Sequence, residues 1–261
     1  MGQRGGYSFV PALLPRHLIP NNQMVADYCT IWDESKFLVP REPIEIGTVG
    51  KDFSAVTSGI SCHSMPIKMP GTDFRIPLEL EQFLPAIEMC ANFEGAVDPQ
   101  MMEKSFAYLG IDQSYVEVGK RQRSAEKHTD GIQGPRIQPK IEIEHTYLCV
   151  DRDPPKVYVQ EFFLGNAKAD THFLTPYFEK QADESKALQL RPYVISLLDA
   201  YTVHGSVVAE ESGIRTLMKL SFSTRLFDRK GNSHNLLFDY NWEMHPRPIP
   251  TNLIGYEPRK E

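Results

Sequence analysis

The stretch from Tyr193 to Phe227 constrains the chain more than any other. Three strand-like runs follow one another there at close intervals: Tyr193-Val194-Ile195-Ser196-Leu197-Leu198, Thr202-Val203-His204-Gly205-Ser206-Val207-Val208 and Ile214 to Phe227. No helical stretch separates them, so they suit antiparallel neighbours better than the alternating βα units of a parallel sheet. The same character begins further upstream. Tyr115-Val116-Glu117-Val118 alternates, and Ile141 to Val150 and Lys156 to Phe163 read as strands joined by the turn Asp151-Arg152-Asp153-Pro154-Pro155. Two helices are expected before these strands. One spans Pro77 to Cys90, with Leu80, Phe83, Leu84 and Ile87 at helical spacing; the other opens with Asp98 as N-cap and Pro99, and closes at Gly110. The fold class this pattern predicts is mainly β with flanking α-helices, a double-sheet jelly-roll barrel.

The rest of the chain is arranged around that core. Residues 1 to about 75 are proline-rich and read as an irregular wrapping segment, with short β-like pieces such as Lys36-Phe37-Leu38-Val39. Residues 165–190 are polar and mixed, a loop or short helix around Glu184 to Leu188, placed where a mobile lid would lie. No repeat, low-complexity tract or domain boundary is evident. A single domain over 1–261 is expected: wrapping segment and helices to 110, core at 111–228, and a tail from 229 that packs across the barrel or against a partner subunit.

Bulk properties exclude several classes. A net charge of -6 and a pI near 5.8 argue against a nucleic-acid binder. No apolar run approaches the roughly 20 residues needed to span a bilayer. Pro11, Pro15 and Pro20 interrupt the N-terminal stretch, so no secretory signal is read there and a cytoplasmic location is expected. Cys29, Cys62, Cys90 and Cys149 are widely spaced without a CxxC pair, which suits reduced, buried thiols rather than a zinc ribbon or a disulfide framework.

The chemistry concentrates in two short motifs, Lys127-His128-Thr129-Asp130-Gly131 and Thr202-Val203-His204-Gly205-Ser206. A His-x-Asp pair and a distant His are the ligand set of a facial triad, which holds a metal such as Fe(II) on one face and leaves other positions open. Chance alone supplies about one His-x-acid pair in a chain with 8 His and 34 acidic residues, so the pair gains its weight from context. His128 and Asp130 lie between strand-like segments, where alternate positions face one side. His204 lies inside a β-branched run, a rigid support for a ligand. Arg215 begins the next strand, and its planar fork could bind a carboxylate beside the metal; Arg225 competes for that role. Lys219 shares the Arg215 face, as either a solvated lysine or a further substrate or co-substrate contact. His145 and His172 read as surface residues or supports of the ligands, while His63, His234 and His245 receive no role. Arg121, Arg123, Lys127, Arg136 and Lys140 surround the metal motif and could form a basic mouth.

This arrangement resembles the double-stranded β-helix oxygenases that use Fe(II) and 2-oxoglutarate, over roughly residues 110 to 228. The spacing is similar to that of the phytanoyl-CoA-hydroxylase-like and taurine-dioxygenase-like branches. Arg215-Thr216-Leu217 stands where the plant-type branch has Arg-x-Ser. The resemblance implies that His128, Asp130 and His204 hold Fe(II), that Arg215 pairs with the distal carboxylate of 2-oxoglutarate, and that a C–H bond is oxidised with release of succinate and CO2. Asp130 argues against halogenation, in which a small residue replaces the carboxylate ligand. The expected partners are a small-molecule substrate and O2, with neither nucleic acid nor membrane, and a second copy of the chain in a homodimer is open. Two other classes fit the same residues: a cupin-type metal isomerase or lyase that does not use 2-oxoglutarate, and a metal-free β-sandwich binding protein.

Overall fold

The computed structural model describes residues 5–12, 14–55, 59–124, 126–130, 144–167 and 173–246. Two long strands form its spine: β5 (Phe106–Val116) and β11 (Gly213–Ser223), paired antiparallel along their whole length, Gly213 opposite Val116 and Ser223 opposite Phe106. β11 also pairs with β6 (His145–Val150), and β6 with β9 (Val194–Asp199). Two strands from the N-terminal third complete this sheet: β2 (Ile44–Thr48) beside β9, and β3 (Ser61–Lys68) beside β5. The order is β2-β9-β6-β11-β5-β3. A smaller sheet orders β10 (His204–Gly205), β7 (Lys156–Tyr158) and β8 (Ala187–Gln189). β1 (Gly6–Phe9) and β4 (Phe74–Pro77) form a separate pair.

The period-2 alternation of β11 sorts its two faces. Met218, Leu220 and Phe222 enter the main core with Ile195, Leu197 and Tyr147, under a helix, α2 (Leu84–Val97), that contributes Ile87, Cys90 and Ala91. Arg215, Leu217, Lys219 and Ser221 point the other way. On that face Leu148 and Leu198 of the large sheet meet Val157 of the small one and Leu190, so the two sheets pack face to face as a β-sandwich. The sheets stay separate, and no barrel closes among the described residues. The expected mainly-β character therefore holds, and the small sheet lies over the more polar face of the large one.

Several elements differ from the sequence expectation. The helix expected from Pro77 is a 3-10 turn, Leu78–Phe83, running into α2. Pro85 is tolerated only in the first helical turn, which moves the α-helical start to Leu84. Asp98 does cap the next helix, α3 (Pro99–Lys104), its Oδ1 accepting from the amides of Gln100 and Met101 at 2.9 and 3.1 Å. That helix ends at Lys104 rather than Gly110, which sits mid-strand in β5. Lys36 to Val39 is mostly a 3-10 turn that buries Phe37. The polar stretch at 165–190 holds a helix, α4 (Thr175–Gln181), and β8. Within the first 75 residues, α1 (Gln23–Asp27) and the two edge strands take the place of plain wrapping. The strand expected at Ile141 to Ile143, together with Gly131 and His172, lies outside the described residues. No helix among the described residues is long and apolar enough to cross a membrane. All four cysteines are free; Cys62, Cys90 and Cys149 are buried and Cys29 is half-buried.

Candidate metal centre

His128, Asp130 and His204 converge, with one ligand atom from each lying within 4.8 Å of the others. The backbone brings them together. His128 and His204 form an isolated antiparallel bridge, each amide donating to the other's carbonyl at 2.9 Å. His204 also belongs to β10, paired with Val157 of β7, so the 126–130 segment is held against the free edge of the small sheet. The position of β10 depends on a turn ahead of it. Asp199 Oδ1 accepts from the Tyr201 amide at 3.0 Å and the Thr202 hydroxyl at 2.7 Å, and the Thr202 amide donates to Asp199 O at 3.1 Å. Arg41 sits behind it, 3.2 Å from Asp199 and 2.7 Å from Asp27.

Both imidazoles are oriented in the same manner. His128 Nδ1 lies 2.8 Å from Glu126 O, and His204 Nδ1 lies 3.0 Å from Thr202 O. A carbonyl oxygen only accepts, so each Nδ1 carries the proton, and in the neutral ring Nε2 keeps the lone pair for a metal. Burial first, then the neighbouring His128, push His204 down to about 4 against the opposing pull of Asp130, so its ring is neutral near pH 7. Burial alone would raise the Asp130 carboxyl. Lys219, His204 and His128 outweigh it and hold the group well below the usual carboxylate range. Lys219 Nζ donates to Asp130 Oδ1, whereas Oδ2 lies 3.6 Å from His204 Nε2. One carboxylate oxygen thus faces the histidines and the other faces the lysine. An ionised carboxylate and two imidazoles with their Nδ1 protons tied back fit a divalent transition metal.

The structure gathers His128, Asp130, His204 and Lys219, and it directs the two arginines elsewhere. Arg215 is buried, with Nε donating to Arg152 O and Nη2 to Asp153 O, both at 3.0 Å, and Nη1 to Gln122 Oε1. It therefore clasps the β6–β7 turn and the 119–124 segment to the sheet. Gln122 Nε2 completes the clasp, its two hydrogens shared among Asp112 O, Ser114 Oγ and Arg215 O at 3.1, 2.9 and 2.9 Å. Arg225 is bound to Glu144, which also accepts from Ser223. Of the basic mouth, Arg123 pairs with Asp112 and Lys127 with Glu179, both at 3.2 Å, while Arg136 and Lys140 lie outside the described residues. His145 belongs to the opposite face, fully buried with Nδ1 2.9 Å from Glu94 and its ring stacked on Tyr28. The Asp199 turn, Arg41 and the Glu126 and Thr202 carbonyls were not expected. The run Asp199-Ala200-Tyr201-Thr202 does carry an Asx-turn signature that could have shown the first of these.

No family model and no curated protein matches the chain. Among solved structures it is similar to AviO1 from Streptomyces viridochromogenes Tue57, at 10% identity and a TM-score of 0.42, covering 78% of this chain and 96% of that one. It is also similar to EvdO2 from Micromonospora carbonacea var. aurantiaca complexed with 2-oxoglutarate, at 14% identity and a TM-score of 0.37, covering 60% and 76%. A third is the non-heme monooxygenase ThoJ, at 9% identity and a TM-score of 0.30, covering 62% and 63%. At this level of similarity none of them assigns a fold or an activity to this chain.

Proposed function

We propose that the chain is a non-haem Fe(II)- and 2-oxoglutarate-dependent oxygenase. It would oxidise, most simply by hydroxylation, a C–H bond of a small molecule such as an amino acid or biosynthetic intermediate. The observation that carries this reading is the convergence of His128, Asp130 and His204 with both Nδ1 atoms tied to backbone carbonyls. The strand order supports it. Between β5 and β11 the chain passes repeatedly from the large sheet to the small one and back, the pattern of a double-stranded β-helix, with the triad at the edge where the sheets face each other.

In this reading His128, Asp130 and His204 hold Fe(II). The bound metal would supply O2 activation coupled to oxidative decarboxylation of 2-oxoglutarate to succinate and CO2. The protein's own groups do the rest. Glu126 O and Thr202 O fix both imidazole rings, and burial of His204 limits access of water. Lys219 is the cation best placed for the co-substrate carboxylate because it already touches Asp130. Arg215 lies four residues back along β11, about 13 Å at a rise of about 3.3 Å per residue. To serve as the clamp it would have to give up hydrogen bonds from a charged group worth about 1.5–3 kcal/mol each.

The test is an anaerobic titration of the metal-free protein with Fe(II) and then 2-oxoglutarate, followed by the visible charge-transfer band of the chelate. Wild type is expected to develop the band, His204→Ala to lack it, and Lys219→Ala to need at least tenfold more 2-oxoglutarate. Succinate release in air then screens substrates. Iron binding with no band favours the metal isomerase or lyase, and no iron binding removes the metal reading altogether.

A further inference from the structure

Within the stretch read from sequence as a lid, α4 is packed against the fold and reaches the metal motif. Phe178 of α4 is buried between Phe37 and Phe162, with ring centroids 5.4 Å from each. Gln181 locks the helix end, its Oε1 accepting from Phe163 N at 2.7 Å and its Nε2 donating to Phe163 O at 2.8 Å. The next residue after Phe178 turns toward the triad. Glu179 Oε1 accepts from the backbone amide of Lys127 at 2.7 Å, and its Oε2 lies 3.2 Å from Lys127 Nζ. That amide belongs to the same peptide unit as Glu126 O, the acceptor for His128 Nδ1 at 2.8 Å. A continuous chain results: carboxylate, peptide N–H, peptide C=O, imidazole Nδ1–H. A negative charge on the N–H side strengthens the carbonyl as an acceptor, since hydrogen bonds in series polarise one another. His204 relies on the Asp199 turn instead, so the two imidazoles are supported by different means.

From this geometry we infer that Glu179 is a positioning residue for His128, acting through the Glu126–Lys127 peptide. It fixes the Nδ1–H tautomer and turns Nε2 toward Asp130 and His204. The inference rests on the metal reading above for its consequence, though the tautomer itself does not depend on a metal. Lys127 keeps the carboxylate in place, with its ammonium also lying over the Tyr158 ring at 5.3 Å. The direct acceptor for a ligand histidine's Nδ1–H is worth about tenfold to a hundredfold in metal affinity; Glu179 acts one peptide beyond that acceptor, so its share is at the lower end.

The experiment combines long-range nitrogen–proton spectra of the imidazoles in the metal-free protein with a Co(II) titration followed by visible absorption. Wild type and Glu179→Gln, which retains an acceptor for the Lys127 amide, are expected to show His128 as the Nδ1–H tautomer. Glu179→Ala should give a mixture of tautomers and bind Co(II) up to about tenfold more weakly, while Lys180→Ala, an exposed neighbour on the same helix, matches wild type. If the alanine variant does not fold, Glu179→Asp, one methylene short of the amide, is expected to give the same mixture. Wild-type tautomer and affinity in Glu179→Ala, or an equal loss in Lys180→Ala, would overturn the assignment. Failure of wild type to take Co(II) removes the metal reading, and the tautomer contrast still decides the role of Glu179.

Discussion

A buried imidazole held neutral makes the metal-free protein acid-sensitive within a definable window. Burial and His128 depress His204 from 6.5 to about 4, so between those values the unfolded chain takes up a proton that the folded chain refuses. Stability is therefore full above about pH 6.5 and falls as pH drops toward 4, by about 1.4 kcal/mol per unit and about 3 kcal/mol in total. Asp130 is shifted down, so its contribution is lost as pH falls from the ordinary carboxylate value of 3.8 toward the lower folded-state value, which sets in only at the foot of that window. Urea unfolding of the metal-free protein from pH 7 to 4.5 should show this slope, and His204→Asn should flatten it; equal slopes would mean that other groups carry the acid sensitivity. The cations on β11 are separable in the same way. Arg215→Ala strips donors from two carbonyls and Gln122 and is expected to cost about 3 kcal/mol of stability. Lys219→Ala removes the leading cation that keeps the half-buried Asp130 carboxylate ionised, so it is expected to cost more than an exposed ion pair would, and its effect on the 2-oxoglutarate requirement is read on protein shown to be folded. The triad was legible at this scale because its residue types and spacing are chemical. The partners of Arg215 were not, because strand alternation says which face a side chain takes and nothing about what already occupies that face.

At the scale of elements, the caps and cores can be tested one at a time. Asp98 accepts from two amides of α3, so Asp98→Ala is expected to cost about 1 kcal/mol in denaturant midpoint. Phe178 is packed into an aromatic cluster with Phe37, Phe162 and Tyr201, and Phe178→Ala should cost about 3–5 kcal/mol. A loss below about 1 kcal/mol would mean that α4 is loosely seated after all. Elements with strong local signals were readable: the Asp98-Pro99 start, and the β9 and β11 runs, whereas the strand expected over Thr202 to Val208 shrinks to the two residues of β10. The misreadings have local causes as well. Gly110 looks like a helix stop, yet it is tolerated inside β5, where it pairs with Lys219 of β11 and faces the register shift between Cys62 and Met65 of β3. Leu80 and Phe83 have helical spacing and are buried, but a 3-10 turn presents them to the core as well as an α-helix does. The small sheet gives the weakest signal of all. β10 spans two residues, and its neighbour at His128 is a single bridge, too short for any periodicity to register.

For the whole molecule, what the chain order could not convey is the use of its ends. β2 and β3 come from the first 75 residues and close both edges of the large sheet, a non-local pairing that no run of local sequence announces. The small sheet is different: its outer edge is finished by one bridge between His128 and His204. A metal bound by those two residues and Asp130 would join that edge to β11 through the Asp130–Lys219 contact, and so act as a staple across the sandwich. Because a ligand that binds only the folded state stabilises by mass action, Co(II) at a hundredfold over its Kd should add about 2.7 kcal/mol. For a domain of this size that is a Tm rise of about 5–10 °C. The rise should vanish in His128→Ala and in His204→Ala alike. If the staple is real, the amides of His128 and His204 should also exchange more slowly with metal than without it, while amides along β5 stay unchanged. A Tm rise that survives either substitution would place the bound metal somewhere other than between the sheets.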